Sequence, residues 1–434
     1  MGDFHQYGPI TTLHRLHDRP VDELEAELIE FSRAAPLALA MPSLHSELLG
    51  EALPEIVREL REVPYLDQIV IGLDEATEAE YRHALEFFAP LPQQPSVIWN
   101  DGPRLREIDA WLGGLGLAPG QGGKGRNVWY LFGYLLGTGA TGSVAVHDSD
   151  ILSYERGLPA RLIYPVARPD FPYRFCKGYY ARVAGGTMHG RVCRLLVTPL
   201  LRALREVCAP HPDLEYLDSF RYALAGEFAL RRDLIGDLAV PAGWGLEIGL
   251  LAEVRRHCEP SQICQTDLAD HYDHKHRALT HGAHGLAQMS GDIVLALFRM
   301  LAADGQAISG NKVREIATAY QRIALDLMER HNADAVMNGL AHDRGQAVDA
   351  VGHFTREIIA GGNRFPDSAK PCLPSWNHVI SSAPGALDRL VQAVDADMRE
   401  FSGSQRTSAI FSPTLSRSAA SVSGGSCSSF SDGR

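Results

Sequence analysis

Asp148-Ser149-Asp150 follows the apolar run Ser143-Val144-Ala145-Val146 directly. Two carboxylates at i and i+2, released by a turn, can approach one site and give the oxygen ligands that a hard divalent cation and phosphate prefer. The same three residues also fit a solvated turn, where Asp is common. Upstream, Gly122-Gly123-Lys124-Gly125-Arg126 sets a glycine-flanked lysine at the opening of a helix. Backbone N–H groups and one ammonium can meet a phosphate there. It is not a Walker loop, because the upstream glycine spacing fails and Gly125 follows the lysine in place of Ser or Thr. The run 113–120 lacks G-x-G-x-x-G spacing, so a dinucleotide fingerprint is absent.

Three further groups could carry chemistry. His271-Tyr272-Asp273-His274-Lys275-His276 holds three imidazoles and a carboxylate, without zinc-finger or H-E-x-x-H spacing. One of these histidines joined to an Asp of 148–150 would form a mixed N/O site suited to Mn²⁺ and tolerable for Mg²⁺; a solvated loop is the alternative. Glu247 and Glu227 sit in apolar, glycine-adjacent runs. A buried carboxylate is costly unless paired, so each should meet a partner or a ligand hydroxyl, or else cap a helix start. Lys177-Gly178 and Gly190-Arg191-Val192 place cations beside glycine turns, as phosphate or carboxylate capture requires.

The elements that must position these residues alternate. Helical spacing covers 22–32, 53–63, 76–88, 105–112 and 127–136, and strand-like runs cover 37–41, 68–73, 96–99 and 143–146. This pattern predicts βαβ units and a mainly parallel sheet, with ligands outside the carboxyl ends of the strands. From 285 the pattern is helical, over 285–304, 312–333, 345–360 and 385–401. The expected organisation is an arm and helix over 1–34, an α/β domain over 35–284, a helical region over 285–401 and a disordered Ser/Gly-rich tail over 402–434.

Composition narrows the function classes. The 434 residues are 45% hydrophobic and 22% charged, so the chain can bury a sizeable core. A net charge of -12 without a basic stripe argues against a nucleic-acid partner. Seven cysteines without C-x-x-C spacing read as reduced thiols of a cytosolic protein. No 18-residue apolar run and no leader pattern occur, so the expectation is a cytoplasmic chain with no membrane partner.

Taken in order, these pieces resemble the glucosyl-3-phosphoglycerate synthases, retaining glycosyltransferases of the GT-A fold (glycosyltransferase family 81-like). The resemblance runs from about 38 to 276. It rests on Pro42-x-x-x-x-Glu47, Gly123-Lys124-Gly125, Asp148-Ser149-Asp150, Lys177-Gly178, Gly190-Arg191-Val192, Pro199-Leu200-Leu201, Gly226-Glu227, Gly245-x-Glu247-Ile248-Gly249 and His274-Lys275-His276. It implies a Rossmann-like, mainly parallel sheet with a C-terminal helical extension. It also implies a metal-dependent enzyme moving a hexose, glucose foremost, from an NDP-sugar to 3-phosphoglycerate, with D-glycerate as acceptor or GDP-mannose as donor the close variants, and a homodimer.

Roles follow by position. Pro42, Glu47 and Asp74 would hold the donor nucleoside, and Lys124 the diphosphate. Asp148 and Asp150 would form the DXD-type motif, with Asp150 and His274 as ligands to Mg²⁺ or Mn²⁺. Glu247 would bind donor sugar hydroxyls, which leaves Asp150, Glu247 and Lys124 as the catalytic set. Gly190, Arg191, Cys193 and His276 would hold the acceptor. Cys193 stands where the family commonly has Thr, His271-Tyr272-Asp273 lacks an expected Arg, and Pro-Ser-Leu-His-Ser-Glu replaces a more usual Asn-Glu-Glu. A non-catalytic sugar-nucleotide-binding protein and a metal-dependent phosphohydrolase are the competing readings. The intact acid pair, Lys124 and Glu247 argue against the first, and the ordered motifs against the second.

Overall fold

Short runs of small and branched apolar residues fold as strands, and the amphipathic stretches between them cover both faces. The computed structural model describes residues 6–93, 95–118, 120, 122–243, 245–269, 272–273, 285–365 and 372–402. In chain order the first half holds β1 (Thr11–Leu13), α1 (Val21–Ala34), β2 (Leu37–Leu44), α2 (Ala52–Leu60), β3 (Gln68–Asp74), α3 (Glu78–Phe88), β4 (Ser96–Trp99), α4 (Pro103–Gly114), α5 (Lys124–Thr138) and β5 (Ser143–Val146). Next come α6 (Gly157–Ala167), β6 (Phe175–Tyr180), a hairpin of β7 (Val183–Ala184) and β8 (Thr187–Met188), α7 (Thr198–Val207), α8 (Pro212–Asp218), β9 (Phe228–Arg231), α9 (Arg232–Ile235), α10 (Leu246–His257) and β10 (Ile263–Ala269). Five helices follow: α11 (Leu286–Ala303), α12 (Gly310–Met337), α13 (Arg344–Arg364), α14 (Trp376–Ser382) and α15 (Ala386–Phe401).

The main sheet has the order β1-β10-β6-β9-β5-β2-β3-β4. Every pair is parallel except those of β9, which runs against β5 and β6. Strand period 2 sorts the side chains. Leu37, Leu39 and Met41 of β2 face one apolar layer, completed by α1, α2, α3 and α6, and Ala38 and Ala40 face the other. That second layer contains α4, α5, α7 and α10 and continues without a break into α11–α15. The helical region expected after 285 therefore shares the core of the α/β region, and the described residues up to Ser402 form one compact unit. The arm expected over 1–34 contributes β1, which adds to the sheet edge beside β10. Beyond Ser402 the tail lies outside the described residues. α11 is apolar and long enough to cross a membrane, but Ile293, Val294, Leu297, Phe298 and Leu301 are buried in the core.

α5 is the central post. Every residue from Gly125 to Leu135 is buried, as for a helix enclosed on all sides. Its Trp129 stacks on Trp376 of α14 at 4.2 Å between ring centroids. Trp376 Nε1 donates to the Trp129 carbonyl (2.8 Å) and Trp129 Nε1 to the Pro374 carbonyl (2.7 Å). Only a glycine fits at 133, because a Cβ there would lie 2.1 Å from the Trp376 ring.

β3 ends at Asp74, which is buried. Asn100 Nδ2 donates to its Oδ1 (2.8 Å) and Asn127 Nδ2 to its Oδ2 (3.0 Å). The carboxylate thus ties the ends of β3 and β4 to α5. Burial pushes its pKa up to about 6, against the pull of the two amides.

Two outcomes are expected. Trp376→Ala should lower unfolding free energy in urea by about 3–5 kcal/mol. A loss below about 1 kcal/mol would show that α14 is peripheral. Asp74 has a folded pKa above its unfolded value, so its contribution is complete below about pH 4 and is lost as pH rises through about 6. The stability of wild type relative to Asp74→Asn should therefore fall by roughly 2 kcal/mol between pH 4.5 and 7. A flat difference would contradict the inward, desolvated carboxylate.

Candidate active site

The carboxyl ends of β2, β5 and β6 converge with the entry to β9. At the end of β5, His147 is completely buried. Burial pushes its pKa down to about 4, so the ring is neutral. Tyr154 Oη lies 3.0 Å from Nε2 and the Asp148 carbonyl 2.9 Å from Nδ1. The phenol donates to Nε2, and Nδ1–H donates to the carbonyl, which fixes the backbone that launches Asp148.

Asp148 Oδ1 lies 2.6 Å from Lys124 Nζ, and Glu247 Oε1 lies 3.1 Å from the same nitrogen. One ammonium therefore bridges carboxylates delivered by β5 and by the first turn of α10. Burial alone would depress the Lys124 pKa; the two carboxylates outweigh it and hold it above the usual lysine range. The lysine reaches this position because its flanks are glycines. Gly123 has φ 140, and a Cβ on Gly125 would lie 2.0 Å from the Pro241 carbonyl oxygen. Gly226 serves Asp148 similarly, since a Cβ there would lie 2.3 Å from Asp148 Oδ2. Asp150, two residues on, is partly exposed on the same turn.

Beneath this cluster lies a buried polar layer. Lys177 of β6 is 1% exposed and donates from Nζ to the Ala225 carbonyl at 2.5 Å. Burial draws its pKa down to about 8, partly offset by Glu247 and Glu227. Glu227 is fully buried and accepts 2.6 Å bonds from Tyr180 at Oε2 and Tyr272 at Oε1. The two phenol rings stack at 3.5 Å. Lys177 and Glu227 were singled out by their glycine neighbours. Nothing in the sequence marks the two tyrosines, which stand 92 residues apart and meet only through the sheet.

The other expected positions are distributed as follows. Pro42 is buried in β2, beyond the last residue that β2 pairs with β5, where a missing N–H costs no ladder bond. Glu47 is partly exposed in the turn after β2. Asp74, expected beside the donor nucleoside, is buried, and its two oxygens accept from Asn100 and Asn127. A cavity of about 730 Å³, lined by Glu75, Thr77, Trp99, Asp101, Arg106 and others, opens beside it.

Of the positions expected to hold the acceptor, Gly190 has φ 74 and leads into Arg191, just past the β7–β8 hairpin. Arg191 is partly buried, its pKa drawn down by that burial, and it forms no ion pair among the described residues. Cys193, expected at the acceptor, is 4% exposed, and its thiol packs against the backbone of Ala223 and Leu224. Arg194 was not anticipated. It donates to the carbonyls of Met188 (3.0 Å) and His189 (2.9 Å) and so braces the loop that carries Gly190 and Arg191. His274 and His276 lie outside the described residues.

No family model matches the chain. The glucosyl-3-phosphoglycerate synthase of Persephonella marina is 40% identical over 400 residues, 92% of this chain and 99% of that protein. The synthase of the same name from Methanococcoides burtonii is 38% identical over 409 residues, with the same two coverages. Among solved structures, glucosyl-3-phosphoglycerate synthase from Mycobacterium tuberculosis in complex with phosphoglyceric acid superposes with a TM-score of 0.50 at 22% identity, covering 68% of this chain and 88% of that one. The same enzyme with Mn²⁺, UDP-glucose and phosphoglyceric acid gives 0.50 at 21%. These structures show a shared fold. The sequence identity along nearly the whole length of two relatives places this chain in the glucosyl-3-phosphoglycerate synthase family.

Proposed function

We propose that this chain transfers a glucosyl group from an NDP-glucose, UDP-glucose foremost, to 3-phosphoglycerate with retention at the anomeric carbon. The observation that carries the reading is the Lys124 bridge between Asp148 and Glu247 at the carboxyl end of β5, in a chain 40% identical to a synthase of that activity. Lys124 offers N–H groups to the departing diphosphate, and Glu247 accepts hydrogen bonds from donor hydroxyls. Pro42 and Glu47 border the nucleoside. The planar fork of Arg191 suits the phosphate or carboxylate of the acceptor.

The donor set fits a divalent cation. Asp148 and Asp150 leave one turn together, and Asp148 already attracts an ammonium to 2.6 Å. Asp150 with His274 would hold the ion, a mixed O/N pair suited to Mn²⁺ and compatible with Mg²⁺. Bound there, it supplies Lewis-acid neutralisation of the diphosphate leaving group. In transfer, the bond from the anomeric carbon to the diphosphate oxygen breaks and one to the acceptor hydroxyl oxygen forms. The hydroxyl proton passes to the departing phosphate. Glu227 is no nucleophile, because both of its oxygens are occupied by phenols within the core. Glu247 is held by Lys124. Departure and attack on one face of the sugar account for retention without a covalent enzyme intermediate.

The product is a phosphorylated precursor of a compatible solute. We read the enzyme as cytoplasmic, which fits the six free cysteines among the described residues. We also read it as a homodimer. α12 ends in Val336 and Met337, 61% and 87% exposed, which offers an apolar contact.

With Mg²⁺ or Mn²⁺, UDP-glucose and 3-phosphoglycerate should give UDP and glucosyl-3-phosphoglycerate, and chelator should stop the reaction. Asp150→Ala and His274→Ala should each lower kcat by about 100-fold or more. Transfer to D-glycerate alone, or nucleotide release without a glycosylated product, would refute the assignment. Light scattering should give about twice the 47.4 kDa chain mass; a monomer at micromolar concentration would refute the dimer.

A further inference from the structure

Glu227 touches no solvent and has both oxygens engaged, yet it lies directly after Gly226, the residue on which the Asp148 carboxylate rests. A buried carboxylate costs several kcal/mol unless partners satisfy it; here two phenols and the field of Lys124 offset part of that cost, while burial and Asp148 push the Glu227 pKa above the usual carboxylate range. One of those phenols belongs to Tyr272. Residues 272 and 273 form a clamp: Tyr272 N donates to the Ala181 carbonyl (3.2 Å), Leu152 N to the Asp273 carbonyl (2.9 Å), and Asp273 N to Ser153 Oγ (3.0 Å). The turn that starts with Asp148 and Asp150 is thus fastened at its far end, Leu152–Ser153, to a dipeptide held in place by Glu227. Its near end rests on Gly226, whose neighbouring Ala225 carbonyl is held by Lys177.

We propose that Glu227 is a positioning residue for glucosyl transfer: through Tyr272 and Gly226 it holds both ends of the acidic turn, and so sets where Asp148 and Asp150 stand. The role requires an acceptor at each oxygen, because Tyr180 and Tyr272 each donate to a different one. Glutamine keeps the volume but offers an NH₂ in place of one acceptor, so one phenol can no longer donate to it and neither bond is charge-assisted. The stacked rings then lose their common anchor, and the clamp on Leu152–Ser153 loosens. The inference rests on the reading that the acidic turn holds the divalent ion.

The test is Mn²⁺ titration of the full chain in the presence of UDP, followed by the EPR signal of free Mn²⁺. Glu227→Gln should weaken Mn²⁺ binding about 10-fold or more, in the range seen when a partner of a metal ligand is removed. It should lower kcat while leaving KM for 3-phosphoglycerate within about twofold, and remain folded by circular dichroism. Tyr272→Phe, which keeps the ring stack and removes one donor, should weaken Mn²⁺ about threefold or more, and adding it to Glu227→Gln should cause no further loss. Mn²⁺ affinity within twofold of wild type in Glu227→Gln, while Asp150→Ala loses binding, would overturn the positioning role alone. Unchanged Mn²⁺ binding in Asp150→Ala would overturn the metal reading of the turn and the inference with it. Should Glu227→Gln fail to fold, Tyr272→Phe decides by the same threshold.

Discussion

One ammonium holding two carboxylates is the interaction on which the site depends. Without Lys124, the negative groups delivered by β5 and α10 would repel across a partly desolvated space. Each neighbouring feature makes that contact possible. Gly123 and Gly125 let the first turn of α5 approach the Pro241 carbonyl, and Gly226 leaves room for the Asp148 carboxylate. The neutral His147 fixes the backbone between strand and turn. α5 itself cannot shift, because Trp129 and Trp376 seal its outer face. The C-terminal helices therefore belong to the site's support, although none of them supplies one of its charged groups.

The same arrangement suits a site built for anions. In the free protein Lys124 satisfies Asp148 and Glu247, and a diphosphate offers it a third negative partner. Cations from two directions face the carboxylates: Lys124 from α5 and Lys177 from below. The net charge of -12 thus says little about the local field at the carboxyl ends of the strands.

The first half of the fold was legible because its signals are local. β2 to β5 are continuous apolar runs flanked by helices with clear period, and their observed bounds lie within a few residues of those read. The stretch from 151 to 269 resisted because its strands are defined by distant partners. β6 reads as Phe-Cys-Lys-Gly-Tyr-Tyr, with a buried lysine in the middle. β1 is three residues whose partner lies some 250 positions away in β10. α14 is seven residues long, too short for a periodic signal, though Trp376 anchors it. Within the site, Lys124, Asp148 and Glu247 stood out as charges among glycines and apolar residues, and the structure brings them together. Asp74 and Cys193 are both buried, and partners such as Asn100 and Asn127, which hold Asp74, are revealed by no local pattern.

The reversed strand β9 has a consequence for how the protein is made. β5 is paired with β2 on one side, but its other edge waits for β9, more than 80 residues later in synthesis. During that interval a nascent chain carries an open strand edge flanked by Asp148 and Asp150. An unpaired edge invites association with other chains, and a charge at its end is a recognised deterrent. The acidic pair Asp148 and Asp150 stands just beyond the end of that edge. Closure then comes from a single strand that seals β5 and β6 at once and carries Gly226 and Glu227 into place as it docks.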